Sequence, residues 1–357
     1  MTTDERRSDA YRFDLPAELI AQKPAAVRDA SRLMVVAGEA FEDATFTDLP
    51  RYLRRGDVLV LNETRVIAAR LFGRRIPSGG RVELLLLHPG DSKRYRGDAL
   101  AWIALARPAR RLRAGDRVGF GGDAEATIVH ELDGGAREVA FDLRVPFETF
   151  LSRAGRLPLP PYIHNDSDDA QARYQTVFAR VPGSVAAPTA SLHFTPELLD
   201  RLAGSGVEIV RITLDVGLGT FRPIAADRID DHVMHGEAYA ISAEAAAAIE
   251  RARAAGRRIV AAGTTVVRAL EGNAAAHGRV VAEEGETDIF ITPGFAFRVV
   301  DAMITNFHLP QSSLLVLVSA FAGRDQMLRA YAAAIERRYR FFSFGDAMLI
   351  VRPNAQT

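Results

Sequence analysis

The sequence predicts an α/β fold with a smaller all-β domain inserted into it. Two patterns point there. From about Thr195 onward, helix-like and strand-like stretches alternate, which implies a layer of parallel strands covered by helices. Between Gly56 and about Pro146 the chain instead runs in short β-prone stretches separated by glycine-bearing turns, the spacing of a small barrel or sandwich. The boundaries expected are residues 1–62 with 156–357 for the α/β domain and 63–155 for the insertion. A chain of 357 residues suits two domains, at about 150 residues each.

In chain order, "GDVLVLN", "RVIAARLFGRR", "GGRVELLLLH", "LAWIALAR" and "REVAFDLRV" are apolar and β-prone, and "PSGG", "FGGD" and "LDGG" are turns. Arg107, Arg110, Arg111, Arg113 and Arg117 follow one of these strands closely. "HNDSDDAQ" (164–171) reads as a flexible loop. In "TPELLDRLAGSGVEIVRITL", Thr195 is the N-cap, Pro196 occupies the first helical position, and Gly206 precedes a strand. "SAEAAAAIERARAAGRRIVAAG" repeats the plan with Ser242 as cap and Gly256 as stop. "SSLLVLVSAFAG" is a buried helix led by Ser312 or Ser313, "DQMLRAYAAAIERRY" an amphipathic one, and "AMLIVR" the closing strand.

Composition narrows the chemistry. Hydrophobic residues make up 48% and charged residues 25%, as in soluble globular proteins. No apolar run approaches the ~20 residues that span a bilayer, and the N-terminus lacks an apolar signal core; the expectation is a cytoplasmic protein without a membrane partner. With no cysteine, disulfides, thiolate nucleophiles and cysteine-ligated clusters are excluded. Net charge is zero but uneven: residues 51–120 hold 16 Lys+Arg against 6 Asp+Glu. So basic a block suits a polyanion such as nucleic acid, or is simply a solvated arginine-rich surface.

Several stretches could carry chemistry. "TLDVGLGTF" (213–221) follows a strand and holds Asp215, Gly217 and Gly219. It lacks the third glycine of a dinucleotide loop, since position 222 is Arg. "AAGTTVVRALEG" runs from strand through Gly263, Thr264 and Thr265 into a helix starting near Val266, which suits an anionic or polar ligand unless Thr265 is only a cap. In parallel α/β sheets ligands bind at such strand carboxyl ends. "GSVAAPTASLHFTP" brings small residues and then His193, an acid–base candidate or a packed loop histidine. "DDHVMHGEAY" offers His232, His235 and Glu237 as a polar pocket, though Gly236 argues against helical zinc spacing and no metal is expected. "ITNFHLP" places Asn306 and His308 after a strand, and "RYQTVFAR" offers Arg173 and Tyr174 to a base or phosphate, or as a surface helix start.

Taken in order, these motifs resemble one family over nearly the whole chain: the S-adenosylmethionine:tRNA ribosyltransferase-isomerases of queuosine biosynthesis. "FDLPAELIAQKPAAVRDASRLMV", "GDVLVLNETRVIAARL", "GSVAAPTASLHF", "TLDVGLGTF", "DHVMHGEAY", "AAGTTVVRALE" and "VDAMITNFHLPQSSLLVLVSAFAG" carry the resemblance. It implies an α/β domain with an inserted β-barrel, and S-adenosylmethionine as ribosyl donor with no separate cofactor. The acceptor it implies is 7-aminomethyl-7-deazaguanine at the wobble position of tRNA with a GUN anticodon, giving epoxyqueuosine, adenine and methionine; a monomer is expected. His193 and Glu237, with Asp215 and His235, are the catalytic residues it suggests. Asn62, Arg65, Arg173, Tyr174, Thr189, Gly217, Gly219, Thr220, His232, Gly263, Thr264, Thr265, Arg268, Asn306 and His308 are the binding residues it suggests. The chain departs from the family's usual motifs at Asp215, where histidine is usual, at Ser191 (glycine), Glu63 (aspartate) and Ala68 (proline). A paralogue with another acceptor, such as a free deazapurine, or a non-catalytic tRNA-binding protein are the alternatives.

Overall fold

The computed structural model describes residues 4–90, 100–217 and 223–352. They form two compact units, Met1–Arg65 with Pro160–Thr357, and Val66–Leu159.

The first unit is built on a nine-stranded sheet. Across it the strands run Glu283–Thr287, Glu237–Ile241, Glu208–Leu214, Val58–Asn62, Ile259–Ala262, Ala302–Asn306, Ala347–Val351, Arg32–Ala37 and Ala40–Thr45. The four central strands, Glu208–Leu214 through Ala302–Asn306, pair in parallel. Their outer neighbours pair antiparallel to them, so the sheet is mixed where alternation predicted parallel strands. The reason lies in the connections. One helix between two strands returns the chain to the same edge, but two consecutive helices, Ser313–Ala322 and Arg324–Glu336, stand before Ala347–Val351. The chain therefore re-enters reversed. No α-helix separates Glu208–Leu214 from Glu237–Ile241 among the described residues, and that pair is likewise antiparallel.

Both faces of the central strands are buried, with alternate side chains feeding two cores. Val58, Val60, Ile259, Ala261, Met348 and Ile350 pack under the helices Ala243–Ala254, Thr264–His277, Ser313–Ala322 and Arg324–Glu336. Leu59, Leu61, Val260, Ala262 and Leu349 pack on the other side against the helix Pro196–Gly204 and the turn Phe46–Arg51. Each fully buried Val, Leu or Ile stabilises the fold by about 1.5–3 kcal/mol. Thr195, Ser242 and Ser312 cap their helices by accepting from the backbone N–H three residues on. The stretch read as a loop, 164–171, turns helical at Asp168–Arg173 because Ser167 caps it and Ala170 is buried. No described helix is long and apolar enough to cross a membrane.

The second unit is a closed barrel. Strands Arg70–Ile76, Arg81–Pro89, Leu100–Arg107, Ala136–Leu143, Ala124–Glu131 and Arg117–Gly119 follow one another around it, and the last pairs back to the first. Gly155–Arg156 adds a short strand to Arg70–Ile76. Leu71, Leu84, Leu86, Ala104, Val118, Ile128, Val139 and Phe141 are buried. The helix Phe147–Ala154 contributes Phe147, which stacks on Trp102 at 5.3 Å, and Phe150, which meets Phe120 edge-on at 5.6 Å.

Candidate active site

The carboxyl ends of the central parallel strands carry eight of the expected residues: Asn62, Asp215, Gly217, Gly263, Thr264, Thr265, Asn306 and His308. Ile259–Ala262 ends at Gly263, whose φ of +108° is a conformation that favours glycine. Gly263 donates its N–H to the Ile304 carbonyl at 2.8 Å, tying the strand end to its neighbour. The helix begins at Thr264, two residues earlier than the sequence suggested, with Gly263 itself as N-cap. Thr265 therefore does not cap it. Its hydroxyl is buried and without a hydrogen-bond partner, in the first turn of a 14-residue helix. A buried orphan hydroxyl is costly to leave unsatisfied, and beside the helix's free N–H groups it suits a polar ligand. Thr264, Thr265 and Gly263 line a cavity of about 30 Å³ with Thr189, His308 and Val216. That space holds about one water.

Val216 links this cavity to a pair of carboxylates. Asn62, fully buried, donates to the Leu214 carbonyl at 2.8 Å and accepts from the Leu214 N–H at 3.0 Å and the Thr64 N–H at 3.1 Å. Its amide fixes the end of Glu208–Leu214 and is consumed by backbone. Asp215 follows at once. Its N–H donates to the Ala238 carbonyl at 2.8 Å, and its Oδ1 accepts from the Thr64 hydroxyl at 2.7 Å. Gly183 makes room for this carboxylate: a Cβ there would lie 2.3 Å from Asp215 Oδ2. Glu237 is buried nearby. It forms an ion pair with buried Arg268, and its Oε1 accepts from the Gly217 N–H at 3.1 Å. Arg268 also donates to the carbonyls of Ile289 at 3.2 Å and Thr287 at 3.4 Å.

Burial pushes the Asp215 pKa up; the Thr64 bond opposes this and the Glu237 charge adds to it. A folded pKa above the unfolded one means that ionised Asp215 costs stability once pH exceeds the carboxylate range. Asp215→Asn keeps an acceptor for Thr64 without the charge. Its melting temperature is expected to gain on wild type as pH rises from about 3 through the ordinary carboxylate range and past the raised folded pKa, then to hold that gain. Thermal melts across that range test this, and a constant difference contradicts it.

His193 and His308 are both buried and hydrogen-bonded. His193 is buried, with Nδ1 2.7 Å from Ser31 Oγ and Nε2 3.2 Å from Asn306 Nδ2. Asn306 Nδ2 also donates to the Phe342 carbonyl at 3.0 Å. This sets Nε2 as acceptor and leaves the proton on Nδ1, which donates to the Ser31 hydroxyl; that hydroxyl in turn donates its own hydrogen to the Arg28 carbonyl at 3.4 Å. Burial pulls the His193 pKa down to about 4, so the ring is neutral. Both of its nitrogens are engaged, and Asn306 Oδ1 remains buried and unpartnered. His308 is also buried, held between Thr305 Oγ1 at 3.1 Å and Tyr331 Oη at 3.3 Å, with its pKa lowered to about 3 by burial.

The remaining expected residues lie apart from this cluster or differ in role. Arg65 and His235 are exposed. His232 is half-buried, edge-on to Phe290 at 5.2 Å, with its pKa lowered by burial and by His235. Arg173 donates to the carbonyls of Ala25 at 2.8 Å and Ala26 at 3.2 Å, and Tyr174 is fully buried against Phe344 at 5.9 Å, so neither presents a free face for a base. Gly219 and Thr220 lie outside the described residues. Among the described residues no group of three or more His, Asp or Glu side chains is placed to hold a metal ion. Of the departures, Glu63 is buried and takes both Nε and Nη2 of Arg180, at 3.0 and 2.5 Å. Ser191 is buried with its hydroxyl unpartnered. Ala68 belongs to the barrel unit.

Sequence reasoning missed Thr64, Gly183, Ser31 and Thr305. Ser31 is 162 positions from His193 and no local signal joins them. Thr64, Gly183 and Thr305 each stand inside a stretch that carries other site residues and were within reach.

The sequence pattern of a family described as "Queuosine biosynthesis protein" matches residues 8–350. A relative from Symbiobacterium thermophilum named S-adenosylmethionine:tRNA ribosyltransferase-isomerase is 56% identical over 349 residues, covering 97% of this chain and all of that one. A relative of the same name from Moorella thermoacetica is 52% identical over the same shares. The crystal structure of an S-adenosylmethionine tRNA ribosyltransferase from Thermotoga maritima is 36% identical and matches with a TM-score of 0.52, covering 96% of this chain and all of that one. With the motifs, the mixed sheet and the inserted barrel, these matches place the chain in the queuosine biosynthesis protein family.

Proposed function

We propose that this chain is an S-adenosylmethionine:tRNA ribosyltransferase-isomerase. It moves the ribosyl group of S-adenosylmethionine onto 7-aminomethyl-7-deazaguanine at the wobble position of tRNA with a GUN anticodon, forms epoxyqueuosine, and releases adenine and methionine. It works as a monomer in the cytoplasm and needs no separate cofactor. The observation that carries the reading is the 56% identity over 349 residues, end to end on the relative.

The chemistry sets three demands. A base must take a proton from the ribose carbon beside the sulfonium, adenine must leave protonated, and the acceptor amine must attack unprotonated. Asp215 is the group best placed to exchange protons, because burial and the neighbouring carboxylate raise its affinity for one. Glu237, neutralised by Arg268, fixes the Gly217 backbone. Thr265 and the start of its helix receive polar atoms of the nucleoside. His193, with both nitrogens bonded, acts as a positioning residue that orients Asn306.

The test is incubation with S-adenosylmethionine and tRNA carrying the aminomethyl precursor. Adenine and methionine are expected in equal amounts; folded protein that releases neither overturns the proposal. Equal release with the free deazapurine and no tRNA favours a paralogue with another acceptor.

A further inference from the structure

The barrel carries a surface that its own fold does not explain. Along Arg70–Ile76, Leu71 is buried, and Phe72, Arg74 and Ile76 alternate outward. Phe72 is 49% exposed and Ile76 38%, unusually open for large apolar side chains on a barrel wall. On the neighbouring strand Arg81 stands directly opposite Arg74. Like charges facing each other across an antiparallel pair are destabilising, and neither arginine has a carboxylate within ion-pair distance among the described residues. Arg74 reaches only the Gly79 carbonyl, at 3.1 Å. On its other flank Arg74 pairs with Gly119, which has no side chain to cover it. The result is a groove of about 750 Å³ lined by Phe72, Arg74, Arg81 and Gly119. The Arg70 guanidinium lies 5.1 Å from the Phe72 ring centre.

We propose that this barrel face is a docking surface for the RNA substrate, with Arg74 and Arg81 on backbone phosphates and Phe72 beneath an unpaired base. The inference rests on the tRNA reading above. Two unpaired cations held side by side suit a polyanion such as a nucleic acid, whose phosphates remove their mutual repulsion. An exposed aromatic ring beside a cationic strip is the combination that binds unstacked bases with little regard to sequence. A merely solubilising surface needs neither the exposed ring nor the like-charge pair.

The test is fluorescence anisotropy with an unmodified GUN-anticodon tRNA transcript over a salt series. Arg74→Ala/Arg81→Ala is expected to raise Kd roughly tenfold and to lower the slope of log K against log salt by about 1.5. Phe72→Ser is expected to raise Kd roughly tenfold with the slope unchanged. The double variant should melt no lower than wild type, because it removes a repulsion, whereas a structural role would lower its melting temperature. Arg251→Ala/Arg329→Ala, an equal loss of charge from exposed pairs with Glu208 and Glu39 in the other unit, is expected to leave Kd nearly unchanged. Wild-type and barrel-variant curves that coincide, or an equal loss in the control variant, overturn the proposal, as does a wild type that binds no tRNA. If the barrel variants lose tRNA affinity while wild type releases no adenine, the activity reading fails and this surface stands.

Discussion

Arg268→Ala is expected to lower stability by about 3–5 kcal/mol, because it strands the buried Glu237 carboxylate without its partner. Thermal unfolding should show a drop of roughly 10 °C. Adenine release should fall by roughly 100-fold, since Glu237 also holds the Gly217 N–H and a small displacement at a reacting centre is costly. A second variant separates the two effects. Arg268→Met/Glu237→Leu removes both charges and fills similar volume, which is commonly neutral for stability. It should regain most of the lost melting temperature and none of the lost activity. If the double variant recovers both, the ion pair serves the fold alone.

Acid is expected to weaken the fold well above the pH at which carboxylates titrate. His193 and His308 have pKa values near 4 and near 3 in the fold against 6.5 in the unfolded chain. Below about pH 6.5 the unfolded chain binds protons that the native state refuses, so stability falls as pH falls. Each histidine contributes about 1.4 kcal/mol per pH unit in this window, or roughly 4 kcal/mol for the two between about pH 6.5 and pH 5. His232, with its pKa also lowered, acts in the same direction. Urea unfolding at a series of pH values tests this, and His308→Gln should roughly halve the slope. A stability flat over that window would mean that both rings ionise in place.

Much of this arrangement was legible in the sequence because it is local. Caps at Thr195 and Ser242 and the rhythm of strand and helix follow from neighbouring residues. The strand Arg32–Ala37 is a short apolar run without strong flanking signals, and Ala40–Thr45 is a mostly exposed edge strand carrying Glu42 and Asp43, so neither declares itself in the sequence. Ala124–Glu131 escaped similarly: its core-facing alanines, Ala124 and Ala126, are weak β-formers, although the pleat buries them. The reversal of Ala347–Val351 depended on counting two helices before it. In the site, motif order brought Asp215, Gly217, Glu237 and Arg268 to notice. It could not show that Arg268 pairs with Glu237, that Thr64 holds Asp215, or that His193 has no free nitrogen. Those facts belong to contacts between segments far apart in the chain, and the proposal that Asp215 exchanges protons rests on them.

The central claim is that the ribosyl group of S-adenosylmethionine, and not its methyl group, passes to tRNA. The most direct measurement uses S-adenosylmethionine labelled with heavy carbon only in the ribose, incubated with the protein and precursor-bearing tRNA. Mass spectrometry of the digested nucleosides should find all five labelled carbons on the deazaguanine, with adenine and methionine unlabelled. Label that stays with adenosine, or a tRNA nucleoside that gains only an unlabelled methyl group, would contradict the account.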